Sequence, residues 1–450
     1  MSDALGLREA VSIALGGMVG GGIYAVLGVV TSIAGPATWA AFVLAGVVAA
    51  CAGYSYSCLN SLATDRGGSV TLVQSFTGNT TAAGMAGWTL LFGYVGSMAM
   101  YAFAFAEFAL AFAVLPRAAA GVPLRPVVSV AVVGGFVALN LLGTRVTGAA
   151  ENVLVALKVG ILVAFGVAGL LYGVTATPDA FRLGGSELAS AGPLVAAGVS
   201  FVAFQGWQLL FYDQESIVDP EDTISTAVYL AIAVAVVIYV LVAVVTFNLA
   251  PDALVAHPHT ALKDAAQTVG AVVGLGAVGG TVIALSALFS TGSAINATLF
   301  SAGHFAKGML SADLLPDRAG DGGADGAPDR TILLLGAVTA AFTAAGSLEA
   351  ITNFASVAFV VVFGAMSVLA FRQRDADAIS PLPPAVGAVG SAAFLPLMLA
   401  HLYREDVTTF LLVFVLATLT LAVELLYFER EWVADGVRAF EDDVEGALFE

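Results

Sequence analysis

Run after run of about twenty residues in this chain is almost free of charge. A segment of that length can satisfy its own backbone in hydrocarbon only as an α-helix. Such runs fall near 9–31, 37–62, 84–115, 126–143, 150–173, 193–213, 224–249, 269–303, 331–346, 349–371, 384–402 and 407–428. They give about twelve expected spans. Spanning strands would be about ten residues long with polar alternation, which these runs lack. The expected fold class is therefore an all-α polytopic membrane protein with the lipid bilayer as its surroundings. Composition agrees, since 11% of residues are charged against roughly 25% in soluble chains. Residues 1–10 carry one Arg against one Asp and one Glu. Without a basic n-region, the first run is expected to be a span and not a cleaved signal.

The formal net charge is −17, and the acid collects in loops such as "DRAGDGGADGAPD" and in the tail "FEDDVEGALFE". Lys158, Lys263 and Lys307 are the only lysines. Acidic loops with few lysines suit a protein bathed in concentrated salt, so a halophilic, archaeal source is expected. The acidity argues against nucleic acid as a partner. With both termini cytoplasmic, Arg8, Arg66, Arg145, Lys307, Arg318, Arg330, Arg372, Arg374, Arg430 and Arg438 fall inside. Arg117, Arg125, Arg182, Lys263 and Arg404 then fall outside, and this inward excess favours that orientation in the cell membrane. Cys51 and Cys58 lie two helical turns apart on one run, too far for a disulfide, and are read as packing residues. No GxxxxGK[ST] occurs, which argues against an ATP-driven pump. A secondary transporter, a channel or sensor, and a membrane enzyme remain. No paired carboxylates, metal cluster or nucleophile–base set lies at a common depth. No catalytic residue, metal or cofactor is assigned.

The first run contains "GGMVGGGIY", Gly16 to Tyr24. Each glycine is worth about 1 kcal/mol less than alanine in a helix interior, so the cluster needs a reason. A phosphate-binding loop would need a preceding strand and water. Close helix packing through Gly16/Gly20 and Gly17/Gly21 is a second reading. A break at Gly20–Gly22, lining a cavity, is a third. A break predicts a partner break in the matching span of an inverted repeat. The sixth run supplies one in "GVSFVAFQGWQLLFYDQESIVDP", where Gly206 adjoins Gln205 at membrane depth.

These segments resemble the amino acid–polyamine–organocation (APC) superfamily of permeases. "IALGGMVGGGIYAVLG" is similar to the family's opening helix. "FVAFQGWQLLFYDQESIVDPEDTISTAV" is similar to its sixth helix and following loop, with Glu215 and Asp219-Pro220 at matching places. "SAINATLFSAGHFAKGMLSADLLP" is similar to the end of its eighth helix. Several permeases of this pattern look like cationic amino acid transporters. The resemblance implies a five-plus-five inverted repeat with broken helices one and six. Residues 1–173 would form the first repeat and 193–371 the second. Two further helices over 384–428 and an acidic cytoplasmic tail over 429–450 would follow. It also implies alternating access around a central amino acid, with no covalent chemistry. The N–H groups of Gly20, Gly21 and Gly22, with Ile23 beside them, would take the substrate carboxylate at a helix N-terminus. Carbonyls near Ala203 and Phe204 would take its ammonium. Phe204, Gln205, Gly206 and Trp207 would shape the pocket, and Thr298 would meet the side chain.

Ionisable residues inside the membrane are functional candidates by default. Lys158, in "ENVLVALKVGILVAF", either snorkels to the interface or turns inward toward helix one. Some family members resemble this arrangement, with a lysine on helix five where relatives bind sodium. Burial disfavours the charged ammonium, so an inward Lys158 could load and release a proton. Glu107 could join such a proton site, pair with a cationic substrate, or face a water-filled vestibule. Ser286, Ser290, Thr291 and Ser293 crowd the eighth run. Their hydroxyls either bond their own helix or, as Ser290 and Thr291 in sodium-coupled relatives, hold an ion. The coupling ion is thus expected to be a proton through Lys158, with sodium or amino acid exchange as the alternative. His257 and His259, in "AHPHTALKD", lack further metal-ligating neighbours and are read as loop residues.

Overall fold

A computed structural model describes residues 5–423 apart from 66, 113–115, 144–147, 177, 179–180, 213, 273 and 324–325. Arg66, Arg145, Arg430, Arg438 and the tail 429–450 lie outside the described residues. Among the described residues the elements are helices, one two-stranded hairpin, Ala118–Ala119 against Val122–Pro123, and a single parallel bridge of Leu5 with Ile217. The long apolar helices are α1 (Leu7–Ala34), α2 (Thr38–Leu62), α4 (Thr80–Phe112), α5 (Leu124–Leu141), α6 (Gly148–Ala176), α8 (Pro220–Leu249), α11 (Gly276–Ser311), α13 (Leu348–Arg372) and α14 (Leu382–Glu405). The short α3 (Ser69–Thr77) lies between α2 and α4. Two further apolar helices, α12 (Asp329–Ala345) and α15 (Val407–Val423), have 17 residues each. At 1.5 Å per residue each reaches roughly 25 Å, close to the hydrocarbon thickness. The run at 193–213 is interrupted, and only α7 (Gly192–Val199) is α-helical there. Eleven helices and one interrupted run thus match the twelve runs of the sequence.

Local signals set the ends. The Gly6 N–H donates to the Glu9 carboxylate at 3.0 Å, which caps α1. Gly35 at φ +53° turns the chain into α2. Pro220 stands at the start of α8 and Pro251 at the start of the short α9 (Pro251–Ala256). Helix α11 begins later than its apolar run, because α10 (Ala261–Ala271) takes the first residues. It then runs past the apolar stretch through His304 and Lys307 to Ser311.

The core sits where α1 packs on α8 and α11, and α4 on α11 and α13. Twenty residues of α1 are buried, whereas α5 has only Ser129 and Val133 buried and turns most of its surface outward. An apolar helix buried all round is a central one, and one exposed on apolar side chains faces lipid. Residues expected on one side of the membrane also meet at one end of the structure. Leu5 N–H donates to Ser216 O at 2.7 Å, and Val218 N–H donates to Leu5 O at 3.0 Å. At the other end Arg125 donates to the Thr343 carbonyl, and Lys263 Nζ donates to Ala111 O at 2.7 Å. Cys51 and Cys58 are free thiols.

Candidate functional site

The interruption lies where Gly206 and Gln205 place it. Helix α7 ends at Val199, a 3₁₀ turn covers Ser200–Phe204, Gln205 is extended, and a second 3₁₀ turn covers Trp207–Tyr212. Gly206 has φ +134°, a conformation essentially reserved for glycine. Backbone freed at membrane depth must find partners, and here they are specific side chains. Ser356 donates to Val199 O at 2.6 Å and accepts from Val202 N–H at 3.0 Å. The Gly206 N–H donates to Gln208 Oε1 at 2.7 Å. The Tyr239 hydroxyl lies 2.8 Å from Ala203 O and 2.7 Å from Met18 O, within donating reach of both.

Helix α1, by contrast, is continuous through Gly20–Gly22. The expected break in helix one is absent, and close packing is what the glycines serve. A Cβ on Gly17 would lie 2.8 Å from Gly206 Cα, and one on Gly20 would lie 2.8 Å from Ala294 Cβ. One on Gly21 would lie 2.0 Å from the Tyr101 ring, and one on Gly22 would lie 2.9 Å from Ala203 Cα. Four neighbours therefore approach the bare helix from different sides. In an unbroken helix the N–H groups of Gly20, Gly21 and Gly22 bond back to residues 16–18 and are not offered to a carboxylate. The Ala203 carbonyl, expected to take an ammonium, is claimed by Tyr239.

The other expected pocket residues are mostly core. Ile23, Phe204 and Trp207 are fully buried. Trp207 packs against Phe363 at 4.8 Å between ring centres and against Tyr56 at 5.1 Å. Gln205 donates to the Tyr101 hydroxyl at 2.6 Å and accepts from Gln208 at 3.2 Å. Gln208 lies near the Tyr94 hydroxyl, which bonds Tyr212 at 2.8 Å. This buried polar row, with Tyr239 and Ser356, was missed from sequence. The tyrosines read as core aromatics inside apolar runs, and only Gln205 signalled.

A cavity of about 700 Å³ opens beside these contacts. It reaches from Leu5 and Ile217 at one end to Gly16, Gly17 and Leu210, with Lys158 and Thr298 in its wall. Its size suits a small organic solute. Lys158 is 5% exposed, and its Nζ donates to Gly16 O at 3.1 Å. The lysine turns inward to α1 and does not snorkel. It also lines a second space of about 190 Å³ with Ser286, Ser290 and Ser293.

The sequence pattern described as Amino acid permease matches residues 5–427. The chain belongs to the amino acid permease family. An uncharacterized protein of Methanocaldococcus jannaschii is 30% identical over 70% of each chain. The inner membrane transport protein YbaT of Escherichia coli is 28% identical, covering 89% of this chain and 90% of its own. Among solved structures, the manganese transporter of Eremococcus coleocola superposes with a TM-score of 0.60 at 13% identity. That match covers 96% of this chain and 95% of that one, and shows the shared fold. The protein is a multi-span membrane transporter and not an enzyme.

Within this permease the hydroxyls of α11 divide by role. Thr291 donates to Ala287 O at 2.7 Å and Ser293 to Ser290 O at 3.0 Å, each on its own helix. Ser286 bonds the Tyr24 hydroxyl at 2.7 Å. Ser290 Oγ is buried beside the Tyr24 hydroxyl, which Ser286 already bonds. Glu107 does not line the cavity; it stands on α4 toward Arg125. Tyr239→Phe is expected to cost about 1–3 kcal/mol, the usual penalty for a buried carbonyl left unmatched. Thermal unfolding in detergent micelles checks this against wild type.

Proposed function

We propose that this permease is a secondary amino acid carrier working by alternating access, with both termini cytoplasmic and Lys158 as its proton-coupling group. The observation that carries the reading is Lys158 itself: a buried amine in the cavity wall, bonded to a backbone carbonyl of the glycine-rich helix. Burying an ammonium is costly, so at this depth its charge is sensitive to what enters the cavity. Family membership supports the amino acid as substrate, entering the Lys158–Thr298 cavity from the Leu5 end. The glycine triplet would then offer its N–H groups only in a state in which α1 opens. The carbonyls of Gly16 and Met18 would keep Lys158 and Tyr239 as partners in that state.

The test is uptake of labelled amino acids into proteoliposomes under separate proton and sodium gradients. Acid outside is expected to drive uptake without sodium. Lys158→Ala is expected to lose at least tenfold of gradient-driven uptake while retaining counterflow. Sodium-driven uptake untouched by Lys158→Ala would overturn the proton reading. The hydroxyls of Ser286, Ser290 and Ser293, gathered with Lys158 around the smaller space, favour sodium as the second reading. Thr291 is compatible with it too, since donating its proton to Ala287 leaves the hydroxyl oxygen's lone pairs for a cation.

A further inference from the structure

The end of the molecule away from the Leu5 cavity is closed by an unusual stack. Phe103 on α4 is buried. The Arg125 guanidinium lies 4.1 Å from the centre of its ring. The His259 imidazole meets the same ring at 5.4 Å, nearly perpendicular to it. Glu107 follows Phe103 by one turn of α4, on the same face. His259 stands in a tight turn, where the His257 N–H donates to Ala253 O at 2.7 Å and the Thr260 N–H to His257 O at 3.0 Å. Just before it, the Pro258 carbonyl rests on α1, so close that a Cβ on Gly28 would lie 2.3 Å from its oxygen. His259 Nδ1 is buried with no hydrogen-bond partner.

The segment is lightly held. Helix α9 has no fully buried residue, and Val255 on it is 87% exposed. Its seat is made by partly buried Ala253 against the core, Pro258 on Gly28, His259 on Phe103 and the buried Thr260. An element with so few buried contacts opens at low cost, and the imidazole at its tip is the group whose charge changes in the physiological range.

We propose that Pro251–Thr260 is an acid-released cap over this end of the transport path, with His259 binding the proton and Glu107 as its counter-charge. The charged groups acting on His259 are Glu107 on α4, Arg117 beyond the end of α4, and Arg125 on α5. Lys263 on α10 is tied to Ala111 O. Two arginines against one carboxylate leave a positive field where an imidazolium would form. Burial is the larger effect, and the two arginines add to it, so the seated imidazole gains a proton less readily than a free one, with Glu107 opposing. The seated cap therefore holds a neutral ring and is stable above the ordinary imidazole range. As pH falls through about 6.5, the lifted state gains the proton first and the cap is released. The proposal rests on the transport reading for the meaning of the path, but its test reads distance and not transport.

With Cys51 and Cys58 replaced by alanine, nitroxide labels at Val122→Cys and Val255→Cys report the spacing between hairpin and cap. Both valines are exposed, at 54% and 87%. Double electron–electron resonance is recorded in lipid nanodiscs at about pH 7.5 and about pH 5, which bracket an imidazole. Wild type is expected to show one short distance at the higher pH and an added longer component at the lower. His259→Asn and His259→Gln are expected to hold the short distance at both. Glu107→Gln is expected to move the transition to higher pH, because the seated imidazolium loses its counter-charge. A wild-type distance that ignores pH would overturn the proposal. So would a pH response that survives in both His259 variants. Loss of uptake with an intact distance response would instead strike at the transport reading alone.

Discussion

Gly206→Ala is expected to abolish transport and to lower stability by roughly 2–6 kcal/mol. Two independent costs add. Alanine at φ +134° carries backbone strain of about 1–3 kcal/mol. Its Cβ would also lie 2.8 Å from Gly17 Cα and 2.9 Å from the Met18 nitrogen, and overpacking against backbone costs about 1–3 kcal/mol more. No flexible side chain is available to yield. Thermal unfolding and counterflow of labelled amino acids are the measurements. A Gly206→Ala protein with wild-type stability would show that the two backbones do not touch as described.

Gly21→Ala is expected to cost about 2–6 kcal/mol, by a different route. The new Cβ would lie 2.0 Å from Tyr101 Cδ1, and that ring is fully buried. It must swing, which strains the core by about 1–3 kcal/mol and parts its hydroxyl from Gln205. A donor amide left unpaired in the core adds about 1–3 kcal/mol. A double-mutant cycle separates the two explanations of the glycine. If Gly21 makes room for a ring, the alanine costs at least 1 kcal/mol less in a Tyr101→Ala background. If it serves only backbone freedom, the cost is the same in both. Counterflow in the rescued double variant then reports whether α1 must also open.

The apolar helices could be read from sequence because hydrocarbon leaves a backbone of that length no other choice. The break at Gly206 was legible for a related reason: a glycine beside a glutamine at membrane depth has few uses other than irregular backbone. The same argument failed at Gly20–Gly22. A glycine triplet in a helix is equally the mark of a hinge and of a crowded face, and sequence does not reveal that Ala294, Tyr101 and Ala203 arrive there from α11, α4 and the broken run. Lys158 could be expected to turn inward, since charge at that depth seeks polar company. Its partner, the Gly16 carbonyl, carries no side-chain signature. Thr291 bonds its own helix, as hydroxyls at this depth commonly do, and sequence offers no signal that separates this from ion ligation. His259 was read as a loop residue because its company comes from α4 and α5, far away in sequence.

The backbone bridge of Leu5 with Ser216 and Val218 has a mechanical consequence. It ties the stretch leading into α1 to the stretch leaving the interrupted run, two hundred residues away in sequence but side by side in space. Neither can tilt without dragging the other. Because Gly17 and Gly206 also touch, the joined pieces share a fulcrum as well as a tie. Motion of this end is thereby reduced to one degree of freedom. If the proposed carrier opens at Leu5 and Ile217, that doorway would swing as one leaf, because lifting one piece alone would break two peptide hydrogen bonds.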